Sequence, residues 1–244
     1  MSAPAFGTPA SGPDAPKWRL ARFLRVTVAK MLLAAYRTRV LDEQKVPATG
    51  GFILAGNHVS NLDPALLWCT IPRETHFVAK IEMFDSPIIG WGLQRFWAFP
   101  IKRGAADREA IQRATTLLTY GEPVAMFPEG TRRRADTVIG EDGLGEAHSG
   151  VAFIAMRAGV PVLPVGIVGT DEALPPGAKL PRFPRVTIAY GDPVHPDDFT
   201  EGGKKERLAA MTAEIMRRIA VARDGAAAAE GRPAVTGNAS QEAK

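Results

Sequence analysis

Short apolar runs rich in branched residues alternate with stretches of helical periodicity along most of this chain, and that alternation constrains the fold more than any other feature. Gly51-Phe52-Ile53-Leu54-Ala55-Gly56 reads as a buried strand. The runs Thr75 to Lys80, Ala98 to Ile101, Val124 to Phe127, Val160 to Val168 and Val186 to Tyr190 read the same way. Helical patterns fall between them, over Pro87 to Phe96, Asp107 to Tyr120, Val151 to Ala158 and Lys204 to Ala222. Ile111, Ala114, Leu117 and Leu118 have core spacing in one of these helices; Leu208, Met211, Ile215 and Ile219 share a face of the last. Strands alternating with helices predict a single α/β domain whose central sheet is largely parallel and flanked by helices. No internal repeat and no second domain is visible. The expected organisation is a disordered segment 1–16, a basic amphipathic helix 17–40, a domain over 41–223, and a loose Ala- and Gly-rich tail over 224–244.

The polar clusters follow the strands. His58 and Asp63 follow the first, Lys102 and Arg103 follow the run ending at Ile101, and Glu129 and Arg132 follow Phe127. In a parallel sheet such positions collect at one edge, where open α/β sheets bind ligands. Asp63-Pro64 has the form of a helix start, with Asp as cap and Pro at the first position. Asp63 therefore fits a plain N-cap and His58 a loop histidine. The pair equally fits a general base with its orienting carboxylate. Imidazole titrates near neutrality, and a carboxylate on one ring nitrogen fixes its tautomer. There is no Gly-x-Ser-x-Gly elbow for the pair to activate. The sole cysteine, Cys69, lies in an apolar run. The nucleophile is therefore expected from the substrate, most simply a hydroxyl, with backbone amides of the turn as candidates to stabilise an oxyanion. Arg103 and Arg132 carry planar donor forks suited to phosphate, although arginines are also common on solvated surfaces. Glu129 is expected to position Arg132 or to bind a substrate hydroxyl.

Charge and composition narrow the partners. The net charge of +4 and pI near 9.4 suit an anionic partner: phospholipid, a phosphorylated substrate or nucleic acid. The basic residues are not interleaved with stacking aromatics, so no nucleic-acid partner is expected. One cysteine excludes an internal disulfide. No Cys/His cluster has zinc spacing and no Walker loop is present, so neither a metal nor a bound cofactor is expected. There is no charge-free apolar run long enough to span a bilayer and no secretory signal. Lys17 to Arg39 carries seven Lys or Arg and no acid. Leu20, Phe23, Leu24, Thr27, Met31 and Ala34 share one helical face there, with Trp18 at the entrance. Such a helix can lie in a membrane interface, or it can pack on its own domain with a solvated basic rim.

Four blocks in order carry a resemblance. His58-Val59-Ser60-Asn61-Leu62-Asp63, Phe99-Pro100-Ile101-Lys102-Arg103-Gly104, Phe127-Pro128-Glu129-Gly130-Thr131-Arg132 and Val160-Pro161-Val162-Leu163-Pro164-Val165 resemble the four motifs of the 1-acylglycerol-3-phosphate acyltransferases, within the wider glycerolipid acyltransferases. The likeness covers roughly residues 45–195. It departs at Trp97-Ala98, where many relatives have Gly-Ala, and at Ala147-His148-Ser149-Gly150, where many have Phe-Lys-x-Gly. The resemblance implies acyl transfer from acyl-CoA or acyl carrier protein to the free hydroxyl of a lysophospholipid. It implies His58 as base and Asp63 as its orienter. Lys102, Arg103, Glu129, Gly130, Thr131 and Arg132 would lie on the acceptor side, and Pro161 and Pro164 in the acyl-donor region. The expected location is the cell membrane, peripheral or monotopic on its cytoplasmic face, through residues 17–40. Other lysolipid acceptors, such as an ornithine lipid or a glycolipid, and a non-catalytic lipid carrier are the alternative readings.

Overall fold

The computed structural model describes residues 16–87, 90–91, 93, 98–101, 107–130, 140, 142–173 and 182–234, with 16–25 by backbone alone. Seven strands form one sheet: β1 (Arg39–Leu41), β2 (Ile53–Gly56), β3 (His76–Lys80), β4 (Ala98–Ile101), β5 (Val124–Met126), β6 (Val162–Val168) and β7 (Thr187–Tyr190). Their spatial order is β1-β7-β6-β2-β5-β3-β4. β2 through β6 run parallel; β7 is antiparallel to β6, and β1 is parallel to β7. The expected α/β sheet, largely parallel and flanked by helices, is therefore present. β2, the first of the expected strands, lies at the centre.

The helices are α1 (Pro16–Ala35), α2 (Asp63–Thr70), α3 (Arg108–Thr119), α4 (Gly150–Ala158), the single turn α5 (Thr170–Ala173) and α6 (Lys204–Ala229). Residues 87, 90, 91 and 93 are helical, and the rest of the expected helix from Pro87 to Phe96 lies outside the described residues. The central strands bury both faces, because crossovers cover both sides of a parallel sheet. Ile53 and Ala55 pack with α3, α4 and α6 on one side. Phe52, Leu54, Leu163 and Val165 pack with Leu66, Leu67 and Trp68 of α2 on the other.

Two prolines are tolerated for separate reasons. Pro100 lies on the edge strand β4, a position where sheets tolerate proline. Pro164 lies inside the sheet, but its nitrogen faces the side where the β7 ladder has ended at Tyr190, and its carbonyl accepts from the Gly191 N–H at 2.8 Å.

Three boundaries differ from the sequence reading. The basic segment is not helical to residue 40. Arg37 takes φ 43°, the Thr38 N–H donates to the Leu33 carbonyl and the Arg37 N–H to the Ala34 carbonyl. These paired bonds end the helix and send Arg39–Leu41 into the sheet beside β7. The last helix does not stop at Ala222 but continues to Ala229, with Ala226 and Ala227 fully buried. Alanine lets that stretch lie flat on the sheet. At Gly166 the approach is closest: an added Cβ would fall 2.1 Å from the Arg223 nitrogen. Asp63 is not the cap of α2 but its first residue.

Candidate active site

β2 and β5 are neighbours, so the turns leaving their carboxyl ends meet. Asn57 closes β2 with its side chain. Its amide donates to the Ile167 carbonyl at 2.9 Å and accepts from the Ile167 N–H at 2.8 Å, continuing the ladder to β6 after the backbone has turned away. His58 is the next residue. Its ring stacks on Phe127, the residue after β5, with centroids 4.3 Å apart. Its Nδ1 lies 2.9 Å from Asp63 Oδ2.

Asp63 is fully buried, and all its bonds run backwards along the chain or across the sheet. Oδ2 accepts from the N–H groups of Val59 and Ser60, both at 2.7 Å, besides His58. Oδ1 accepts from the Thr170 hydroxyl. The two main-chain donors make Oδ2 an acceptor, so His58 Nδ1 carries the proton and Nε2 holds the lone pair. Nε2 has no hydrogen-bond partner among the described residues. The arrangement supplies an imidazole oriented by a buried carboxylate that can stabilise its protonated form. It also removes the amides of Val59 and Ser60 from the oxyanion role expected for the turn, because both serve Asp63.

Glu129 occupies the third amide. It is buried, its Oε1 accepts from the His58 N–H and its Oε2 from the Gly145 N–H, each at 2.9 Å. The carboxylate thus straps the β2 turn, the β5 turn and the 142–148 segment together. Gly130 takes φ 63°, and an added Cβ would fall 2.7 Å from the His148 ring. His148, whose N–H donates to the Pro128 carbonyl at 2.9 Å, covers that turn from the segment that departs from the family pattern.

The expected residues are placed unequally. His58, Asp63, Glu129 and Gly130 come together. Lys102, Arg103, Thr131 and Arg132 lie outside the described residues, although β4 ends at Ile101 on the same sheet edge as β2 and β5. Pro161 and Pro164 are not in this cluster. Pro161 immediately precedes β6, at the opposite end of the strands, where its carbonyl accepts from the Ile53 N–H; Pro164 is interior. What the chain brings to the site after the far end of β6 is Thr170, the first residue of α5. Sequence reading missed Thr170 and Phe127, since neither lies at a local spacing from His58; position just after a strand was the available signal. Among the described residues, no three His, Cys, Asp or Glu side chains converge as metal ligands.

A histidine paired with a buried carboxylate on the ligand-collecting edge of an α/β domain is an arrangement able to take a proton from a bound hydroxyl. The Acyltransferase family profile matches residues 37–168. A 1-acyl-sn-glycerol-3-phosphate acyltransferase of Bacillus subtilis is 32% identical over 182 residues, 74% of this chain and 85% of the relative. One of Streptococcus pneumoniae is 31% identical over 149 residues, 60% of this chain and 51% of the relative. The crystal structure of the 1-acyl-sn-glycerophosphate (LPA) acyltransferase of Thermotoga maritima shares the fold, with a TM-score of 0.65 at 24% identity over 88% of this chain and 83% of that one. The chain belongs to the Acyltransferase family, whose relatives here are O-acyltransferases of phospholipid synthesis.

Proposed function

We propose that the protein transfers a fatty acyl group from a thioester, acyl-CoA or acyl carrier protein, to the free hydroxyl of 1-acylglycerol-3-phosphate, giving phosphatidic acid. His58 Nε2 takes the hydroxyl proton as the oxygen attacks the thioester carbonyl. The C–S bond of the tetrahedral intermediate then breaks, and the leaving thiolate receives that proton from His58. Asp63 keeps the ring in the Nδ1–H tautomer and stabilises the imidazolium. Arg103 and Arg132 grip the acceptor phosphate, so that its hydroxyl rests beside Nε2. Fixing both reactants contributes up to ~7–11 kcal/mol of the barrier reduction, and a placed base about 10²–10⁴-fold. The single observation carrying this reading is the 2.9 Å bond from His58 to a buried carboxylate at the sheet edge. The names of the relatives supply the acceptor.

The same reading puts the enzyme peripherally on the cytoplasmic membrane face, where acyl donors are available. Its support is α1. That helix packs on the domain core through Leu32, with Ala29 buried and Tyr36 in the core just past its end, while Thr27, Met31 and Ala34 of the apolar face are exposed. No helix of the described residues is long and apolar enough to cross a membrane.

The test is thiol release from acyl-CoA and from acyl carrier protein, crossed with lysophosphatidic acid and other lysolipids. Release that requires the phosphate monoester acceptor and vanishes in folded His58→Ala is the expected result. Undiminished turnover by His58→Ala would remove the base. A preference for an ornithine lipid or glycolipid would move the acceptor; His148 over Gly130, in place of the usual lysine, is the feature that makes this panel necessary.

A further inference from the structure

Asp63 depends on a residue that no local motif contains. Its two oxygens are loaded unequally: three donors converge on Oδ2, and Oδ1 receives the Thr170 hydroxyl. Both residues are fully buried. The torsion that turns a carboxylate plane is broad and roughly two-fold, so the side chain by itself does not choose its plane. Rotation would swing Oδ2 away from the His58 ring while the two amides followed only in part. A donor on Oδ1 removes that freedom.

The chain goes to some length to bring this donor in. Thr170 is 107 positions from Asp63. β6 ends at Val168, and Gly169 turns with φ 95°, packed so closely that a Cβ there would fall 2.3 Å from the Arg185 carbonyl oxygen. That turn carries Thr170 beneath the first residue of α2. Threonine suits the place on two counts. Its branched side chain is stiff about χ1, so the hydroxyl has a fixed direction. It is also neutral. A cation on Oδ1 would offset the charge of Asp63, and with it the field that stabilises the imidazolium; a hydroxyl fixes the carboxylate and leaves its charge for His58.

We infer that Thr170 is a positioning residue for the transfer reaction: its hydroxyl locks the plane of Asp63, which in turn holds His58 as the Nδ1–H tautomer. The inference rests on the acyl-transfer reading for its kinetic consequence, but not for its structural one.

The experiment compares the full-length wild type with Thr170→Val, which keeps shape and loses the donor, and Thr170→Ser, which keeps the donor. Four properties are read: kcat, the KM of each substrate, thermal midpoint, and the ¹⁵N imidazole spectrum of His58, assigned by its loss in His58→Ala. Thr170→Val is expected to lower kcat roughly ten- to a hundredfold, with both KM values within about twofold and a His58 spectrum that mixes tautomers. Thr170→Ser is expected to restore kcat to within about threefold and the single tautomer. Wild-type kcat and tautomer in Thr170→Val would overturn the inference. So would equal kcat losses in the two variants, which would mark a packing role, as would a fallen midpoint with an unchanged tautomer. Should the wild type consume no thioester with any acceptor, acyl transfer itself fails; the His58 spectra then decide the positioning role by themselves.

Discussion

The main-chain N–H of His58 donates to Glu129 Oε1 at 2.9 Å, across 71 positions of sequence. The residue assigned as base is therefore held twice, by Asp63 through its ring and by Glu129 through its backbone. Glu129 has no oxygen without a donor, since Gly145 takes the second. Its geometry is that of a strap between loops.

Glu129→Ala removes both acceptors and leaves two buried amides unmet. The expected loss is roughly 2–4 kcal/mol of stability, together with most of the activity. Chemical denaturation of the variant measures the first, and thiol release the second. A variant as stable as wild type would show that the loops hold without the strap.

Asp63→Asn tests charge separately from shape. The asparagine oxygen can take the place of Oδ2 and keep the two amides and the ring, while its NH₂ meets a rotated Thr170 hydroxyl. Stability should change little, and turnover should fall on the order of 10³–10⁴-fold, as in other His–carboxylate bases. Circular dichroism melting and kcat measured on one preparation separate these outcomes.

Gly166→Ala tests the packing of α6. The new Cβ would lie 2.1 Å from the Arg223 nitrogen and 2.3 Å from the Ala222 carbonyl carbon, both backbone atoms that no rotamer can move. The helix must lift from β6, at a cost of about 3 kcal/mol or more. A urea midpoint unchanged from wild type would mean that the helix backbone does not lie on the strand.

Glu214 is a contributor to acid sensitivity. Hydrogen bonds from Arg217, and after it Arg218, hold the Glu214 carboxyl down at about 2, from an ordinary 4.5. A depressed carboxyl stabilises the fold above its unfolded value, and that contribution is lost as pH falls from about 4.5 toward 2. Arg217, the stronger partner, is largely solvated, so the pair is worth about 1 kcal/mol at most. Glu214→Gln should be less stable than wild type at pH 7, and the gap should narrow by pH 3 in parallel thermal melts. A gap independent of pH would rule out the ion pair as its source.

Met31 projects from α1 with 67% of its surface exposed. Met31→Glu should weaken binding to anionic vesicles roughly tenfold and leave the melting midpoint unchanged. Equal vesicle binding by the two proteins, measured by sedimentation, would show that this face does not meet lipid.

Much of this was legible in the sequence for a plain reason. β2, β4 and β5 are short, apolar and bounded by turn residues, and the polar clusters behind them mark the edge where they end. β1 was not legible. Three residues, Arg39–Leu41, carry no periodicity, and they become a strand only because β7 offers an unpaired edge. The end of α6 was hidden for the opposite reason: an Ala- and Gly-rich run resembles a loose tail until a sheet lies beneath it.

By itself the sequence determined the alternation of strand and helix, the His58–Asp63 pair and its family, because these are local patterns that neighbouring residues impose on each other. Tertiary structure alone decided that Glu129 and Thr170 serve the two ends of that pair, that the Val59 and Ser60 amides are already engaged, and that the Pro161 end of β6 lies away from the base. Each of those depends on which strand lies beside which, and residues 71 and 107 positions apart become partners only once the sheet has closed.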